Sequence, residues 1–400
     1  MSALATLALA CAAIGTAQDE AVRSMVADAM RDAQARSSLS PHNQHAGGHD
    51  GSFFLGTPDD SFRLEISGFT QFRYIANLAG DRGPDEFTGG FTNRRTRLAA
   101  QGHVIDPSLS FTVTQLFGRS GGVSELSDAY IQRDFDHGMS VRFGQFKLPF
   151  WGEESHSAKR LLAVERSLTR EAFSLGRSQA VMLSARTDTL RGDFAVSNGA
   201  GSANIGFASD PTDYAVTARG QWLIDGSFRP FRRAGAIAGE DFSWLASAAV
   251  HAEESSGSAG TPDSRIVTWT ADTALRDDGW SLLAAYVGRS HSSANAGTSA
   301  HDHALLVQGA ALVSDDVELV ARYDVILPDN ARAGDEPFST LTVGVNWYIH
   351  GDALKISADL SWHPDAATGN DLVGGATGAG FLGSAERDEL VIRVQAQLVF

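Results

Sequence analysis

The stretch DELVIRVQAQLVF (residues 388–400) sorts into two sets when every second residue is taken. Leu390, Ile392, Val394, Ala396, Leu398 and Phe400 form one; Val391, Arg393, Gln395, Gln397 and Val399 form the other. Successive side chains of a strand point to opposite faces, so one face of this strand is almost wholly apolar and the other carries two amides and a guanidinium. Such a strand fits a boundary between oil and water.

The same grammar runs back through the chain to Phe62. TLTVGVNWYIH (340–350) sets Leu341, Val343, Val345, Trp347 and Ile349 against Thr340, Thr342, Asn346, Tyr348 and His350. LKISADLSWH (354–363) sets Leu354, Ile356, Ala358, Leu360 and Trp362 against Lys355, Ser357, Asp359, Ser361 and His363. About sixteen segments of this kind can be marked between residues 62 and 400, an even number in the range of outer-membrane barrels. Their connections alternate. Short links such as IDP (105–107), DHG (136–138), SDD (314–316) and GDA (351–353) take turns with long ones such as 149–178, 199–213 and 363–388. Barrels of the outer membrane have tight periplasmic turns and longer outer loops, and a soluble sandwich has no such rhythm. One link departs from it: DGSFRPFRRAGAIAGED (225–241) is long where a short turn is expected. Trp222, Trp347 and Trp362 fall on the apolar face near strand ends, where interfacial girdles place aromatics.

Composition agrees. Hydrophobic residues make up 43% and charged residues 20%, which excludes bulk disorder, and 41 Gly against 11 Pro suits many strands and turns. A net charge of −16 argues against nucleic acid as a partner. Of the 32 basic residues only Lys147, Lys159 and Lys355 are lysines; the others are arginines. Cys11 is the single cysteine, so no internal disulfide and no cysteine metal site can form. Apart from residues 1–17 no stretch nears the ~20 apolar residues of a membrane helix, which leaves a closed barrel as the way to cross a bilayer.

The predicted organisation has four parts. Residues 1–17, an apolar run ending in small residues, read as an export signal cleaved after Ala17; a lipid-modified Cys11 is the weaker alternative. Residues 18–40 read as a short amphipathic helix, with a coiled coil as the alternative. Residues 41–61 read as a Gly/His-rich linker, in which His42, His45 and His49 lack the rigid frame a metal site needs. Residues 62–400 read as an all-β transmembrane antiparallel barrel. No metal or other cofactor is expected.

Several pieces then resemble one family, the phosphate-selective porins O and P of bacterial outer membranes. GSFFLGTPDDSFRLEISGFTQFRY (51–74) looks like its first strand, and NRRTRLAAQG (93–102), DAYIQ (128–132), VRFGQFKLPF (141–150), ERSL (165–168), ARYD (321–324), GVNWY (344–348) and the terminal Phe400 follow in order. The resemblance implies a trimeric outer-membrane pore of sixteen strands with its third loop folded inward, and substrates such as phosphate or polyphosphate. It also marks a departure, because phosphate specificity in that family is associated with constriction lysines and this chain is nearly devoid of them.

A water-filled barrel selects by width and by the charges at its narrowest point. Arginine stays charged and offers a planar pair of donors to an oxyanion. The polar faces supply Arg73, Arg95, Arg97 and Arg142, and a change of phase near Gly144 directs Lys147 inward as well. The long link 149–178 supplies Lys159, Arg160, Arg166, Arg170 and Arg177, which either rim the pore or pair with Glu153, Glu154, Glu165 and Glu171 to pin the loop. These ten residues are the candidate site. The expected function is passive diffusion of small hydrophilic solutes with a mild preference for anions, among them phosphate, with outer-membrane lipid around the barrel. A structural or adhesive barrel is one alternative. A hydrolase is another, weakened by the lack of a Gly-x-Ser-x-Gly elbow or a His-Glu-x-x-His run.

Overall fold

The computed structural model describes residues 24, 27, 28, 31, 46–49, 52–79, 87–118, 124–206, 212–256, 263–293, 298–332, 334–367, 372–373, 378–385 and 387–400. The predicted export signal lies outside them. Of the predicted helix, Ser24, Ala27, Asp28 and Arg31 are described, in helical conformation.

Sixteen strands form one sheet closed on itself. They are β1 (Phe62–Leu78), β2 (Phe87–Val104), β3 (Asp106–Phe117), β4 (Ser124–Asp134), β5 (Met139–Lys147), β6 (Arg177–Arg186), β7 (Leu190–Ser197) and β8 (Tyr214–Asp225). The second half comprises β9 (Ser243–Ser255), β10 (Ser264–Asp277), β11 (Trp280–Ser293), β12 (Thr298–Ser314), β13 (Val317–Leu327), β14 (Phe338–Asp352), β15 (Leu354–His363) and β16 (Glu389–Val399). Each pairs antiparallel with the next, and β16 returns to β1 from Leu390↔Leu78 to Val399↔Phe69. The seam continues to the final residue: the Gly68 amide donates to the Phe400 carbonyl at 2.6 Å, and the Phe400 amide to the Gly68 carbonyl at 2.9 Å. Gly68 is required there, since a Cβ would lie 2.8 Å from the Phe400 ring. Closure pairs the last strand with the first, so the sheet has no free edge along that seam.

The burial pattern is inverted relative to a soluble protein. On β16, Ile392, Val394 and Leu398 are exposed to the outside, while Arg393, Gln395 and Gln397 are buried within. On β15 the buried set is Lys355, Ser357, Asp359, Ser361 and His363. Trp222, Trp244 and Trp347 stand outside at the end of the tight turns, and Trp362 stands outside at the other end. The face assignments made from alternation therefore hold.

Two features differ from the expectation. Part of the stretch read as linker is ordered: Ala46–His49 pairs with Phe53–Gly56, which pairs with Arg63–Ile66 of β1. The start of β1 extends beyond the reach of β16, so its open edge takes up this hairpin. The long link at 225–241 folds back into the barrel (below), which a run of Phe, Pro, Arg and small residues does not announce.

Candidate functional site: a basic passage beside an inward loop

Between β5 and β6 the chain runs through the lumen. This loop holds α1 (Gly152–Ser155), a 3-10 turn at Ala158–Arg160, and α2 (Leu168–Phe173). The Ser167 hydroxyl caps α2 by accepting the Arg170 amide at 3.0 Å, and Glu153 fixes the cap by accepting the Ser167 amide (2.9 Å) and hydroxyl (2.6 Å). Trp151, Phe173 and Leu175 are buried with Phe146 in an apolar cluster that steadies both ends of the loop.

The middle of the loop is held by one wall, from β13 round to β1. Asp359 accepts the Val164 amide at 2.8 Å, Asp324 accepts the Thr169 amide at 3.2 Å, and Asn346 donates to the Leu162 carbonyl at 2.8 Å. Gln71 donates to the Ala158 carbonyl (3.0 Å) and Arg322 to the Glu165 carbonyl (2.9 Å). Irregular backbone at membrane depth survives only when its polar groups are answered in this way.

Glu165 is the centre of the clasp. Its carboxylate takes Arg73 at 3.1 Å, Arg94 at 2.7 Å, and Arg95. Burial opposes its ionisation, but the guanidiniums of Arg95, Arg94 and Arg73 outweigh that and hold the carboxyl well below the ordinary range. Glu154 pairs with Arg170 at 3.2 Å, and Arg322 lies 3.5 Å from Glu153. The pinning role foreseen for the glutamates is thus real, yet most of their partners are wall arginines. Arg73, wholly buried, serves this clasp and does not face the open space. Arg322 and Arg393 are likewise spent on the loop and on Asp359.

Other basic residues, with Arg94 and Arg95 of the clasp itself, border open space beside it. A cavity of about 400 Å³ is bordered by seven cationic side chains, Arg94, Arg95, Arg97, Lys147, Arg166, Arg170 and Arg177, against Glu125 and Glu171. A second, of about 310 Å³, is bordered by Arg97, Arg142, Lys147, Lys159 and Arg177 against Asp128. Arg97, Lys147 and Arg177 belong to both and form the neck between them. Asp128 compensates Arg177 at 3.0 Å, whereas Lys147 donates to the carbonyls of Glu154 (2.7 Å) and His156 (3.4 Å). The buried Nε of Arg97 has no hydrogen-bond partner among the described residues. Arg166 is pushed down to about 10 by burial and by Arg170 and Arg95, so it remains charged at neutral pH. Arg160 stands apart on the tight-turn side, 3.8 Å from Asp352.

Gly144, at φ +130°, is where β5 changes phase. Arg142 and Lys147 are an odd number of residues apart, yet they share a cavity wall, as the sequence predicted. Arg94 was missed by strict alternation. Gln71 pairs with Arg95 and Phe72 with Asn93, which leaves Arg94 as a bulged residue turned toward Glu165. The cluster NRRTR was its only signal.

A closed sixteen-stranded antiparallel barrel with an apolar exterior, a polar interior and an inward loop is a porin of the bacterial outer membrane. More particularly, residues 71–238 match the family model for phosphate-selective porin O and P. No curated protein sequence matches the chain. Among solved structures it is similar to an anion-selective porin from Comamonas acidovorans, at a TM-score of 0.61 and 11% identity over 84% of this chain and 99% of that one. It is also similar to the outer-membrane channel DcaP of Acinetobacter baumannii, at 0.59 and 14% over 85% and 98%. OprB of Pseudomonas putida gives 0.58 and 10% over 84% and 94%. At these identities the likeness shows the fold.

Proposed function

We propose that the barrel conducts small hydrophilic solutes passively and prefers anions, with the preference set at the neck of Arg97, Lys147 and Arg177. The observation that carries this is the basic majority around both cavities at the neck, in a chain whose total charge is −16. The acidic total resides elsewhere; local lining charge governs permeation. The phosphate-selective description of the matched family and the anion selectivity of the Comamonas porin agree with the reading. Phosphate is a natural member of the solute class, because a guanidinium can hold two of its oxygens at once. A trimer is the assembly we infer, by the resemblance and by the trimer form described for OmpT of Vibrio cholerae. Export through residues 1–17 and a helix at 18–40 belong to the same proposal. We read the chain as a channel and not an enzyme: His363 stacks against Phe338 and contacts Thr340 at 3.1 Å, as a wall residue does.

Planar-bilayer recording in a salt gradient tests the reading. Stepwise conductance with an anion-selective reversal potential is expected. Lys147→Glu should lower the anion preference by about fivefold, on the order of 1 kcal/mol for a reversed charge at the neck. A cation-selective wild type refutes the proposal.

A further inference from the structure

The inward loop is not alone in the lumen. From the tight-turn end the link 225–241 enters it: the Ala236 amide donates to Glu318 at 2.6 Å, and the Ala234 amide to the carbonyl of Arg160 at 3.3 Å. From the opposite end comes Gly378–Ser384, a strap within the long link 363–388. It lies against the inner faces of β1, β15 and β16.

Three successive carbonyls of the strap are answered by the wall. Gly378 accepts from Arg73 at 3.1 Å, Ala379 from Arg393 at 2.9 Å and Gly380 from Asn77 at 2.8 Å. One carboxylate holds the return: Glu389, 1% exposed, accepts the Leu382 amide at 2.7 Å, the Ser384 amide at 2.8 Å and the Asn77 side chain. Phe381 is the apolar anchor, buried with its ring centroid 5.5 Å from that of Phe338 and 4.6 Å from that of His363. Position 380 calls for glycine, since its φ is +85° and a Cβ would lie 2.6 Å from Ile75. These partners fix a backbone that is irregular inside the barrel, where unanswered polar groups are costly.

The strap also reaches deep. Asn77 and Arg73 are four residues apart on β1, about 13 Å along the strand, and Gly378 is at the level of Arg73. There Nη1 of Arg73 donates at 3.1 Å to both Gly378 and Glu165, so one nitrogen joins the strap to the clasp. Arg393 makes a second link. Its Nε donates at 2.6 Å to Asp359, whose other oxygen accepts the Val164 amide of the inward loop.

We propose that Gly378–Ser384 sets the size limit on the outer side of the clasp and, through Arg73 and Arg393, steadies the inward loop below it. Its place in the lumen gives the first role, because its backbone and the Phe381 ring take cross-section that a solute would otherwise use. The shared guanidiniums give the second, because a contact chain of this kind carries a displacement from one segment to the other. The inference rests on the channel reading and is independent of anion preference.

Swelling of proteoliposomes in erythritol, glucose and sucrose, uncharged solutes of rising size, tests it beside single-channel recording. Gly380→Val should expel the strap. The sucrose-to-erythritol rate ratio should rise severalfold, and the current should gain noise and sub-conductance steps as the inward loop loses its upper neighbour. Phe381→Ala, which leaves a space and forces nothing, gives the same direction if Gly380→Val refolds poorly. Both variants should remain as anion-selective as the wild type, because neither residue borders the neck. A wild-type swelling ratio in both variants overturns the size limit; a raised ratio with quiet current overturns the link to the inward loop. Absence of stepwise conductance in the wild type refutes the channel reading itself.

Discussion

Replacing Glu165 by Gln removes the charge that three arginines converge on. Glu165 and Arg73 have side chains 1% and 0% exposed, and Arg95 and Arg94 are 7% and 16% exposed, so solvent can do little to compensate. Breaking a buried ion pair from one side costs roughly 3–5 kcal/mol. The glutamine oxygen still accepts one hydrogen bond, which favours the lower end, about 3 kcal/mol. The barrel does not share this cost, because its sixteen strand pairs are untouched. Asp359, Asp324 and Asn346 still hold Val164, Thr169 and Leu162, so the loop stays in the lumen but its centre loosens. Its displaced population should rise by about a hundredfold at that cost. The assay is open-channel current: Glu165→Gln should show added noise and sub-conductance steps at an unchanged refolding yield. Quiet, wild-type current would refute the clasp. Acid should act in the same direction. The folded-state carboxyl titrates well below the ordinary value of 4.5, so its contribution is present above 4.5 and is lost only as pH falls through the lower, folded value. The difference in noise between wild type and Glu165→Gln should therefore persist from pH 7 to pH 5, and its loss within that window would contradict the assignment.

Two further outcomes concern the wall. Val394 faces outward near the middle of β16, and Val394→Arg should lower stability by about 2–4 kcal/mol in a urea titration of the folded barrel in lipid; the lumen-side change Gln395→Arg should be far milder. Gly144→Val asks a branched residue to adopt φ +130° with its Cβ against the Ala129 carbonyl, a strain of about 1–3 kcal/mol. It should also displace Lys147 and reduce anion preference, whereas Gly192→Val, with open space at its Cβ, should leave the reversal potential alone.

The fold was legible because it follows from a local rule applied many times. Period-two alternation over β14, β15 and β16 assigned each side chain to a face, and the wall repeats that assignment. Long and short links then gave the two ends of the barrel. The candidate site was legible in residue type but less so in role. Alternation places Arg73, Arg97, Arg322 and Arg393 alike on the inner face; it does not say which meet water and which meet a loop.

That division was decided by contacts far apart in the chain. Glu165 pairs with Arg73, Arg94 and Arg95, so these charges are compensated, whereas Arg97, Arg142 and Lys147 border space open to solute. The bulge at Arg94 depends on how β1 and β2 register, and the inward course of 225–241 depends on Glu318, Arg160 and Ala310 being within reach. By itself the sequence determined the barrel, its lipid-facing side and its stock of lumen charge, since these need only the pleat of a strand. Tertiary structure alone chose which charges are answered, because a buried ion pair depends on distances that no periodicity encodes.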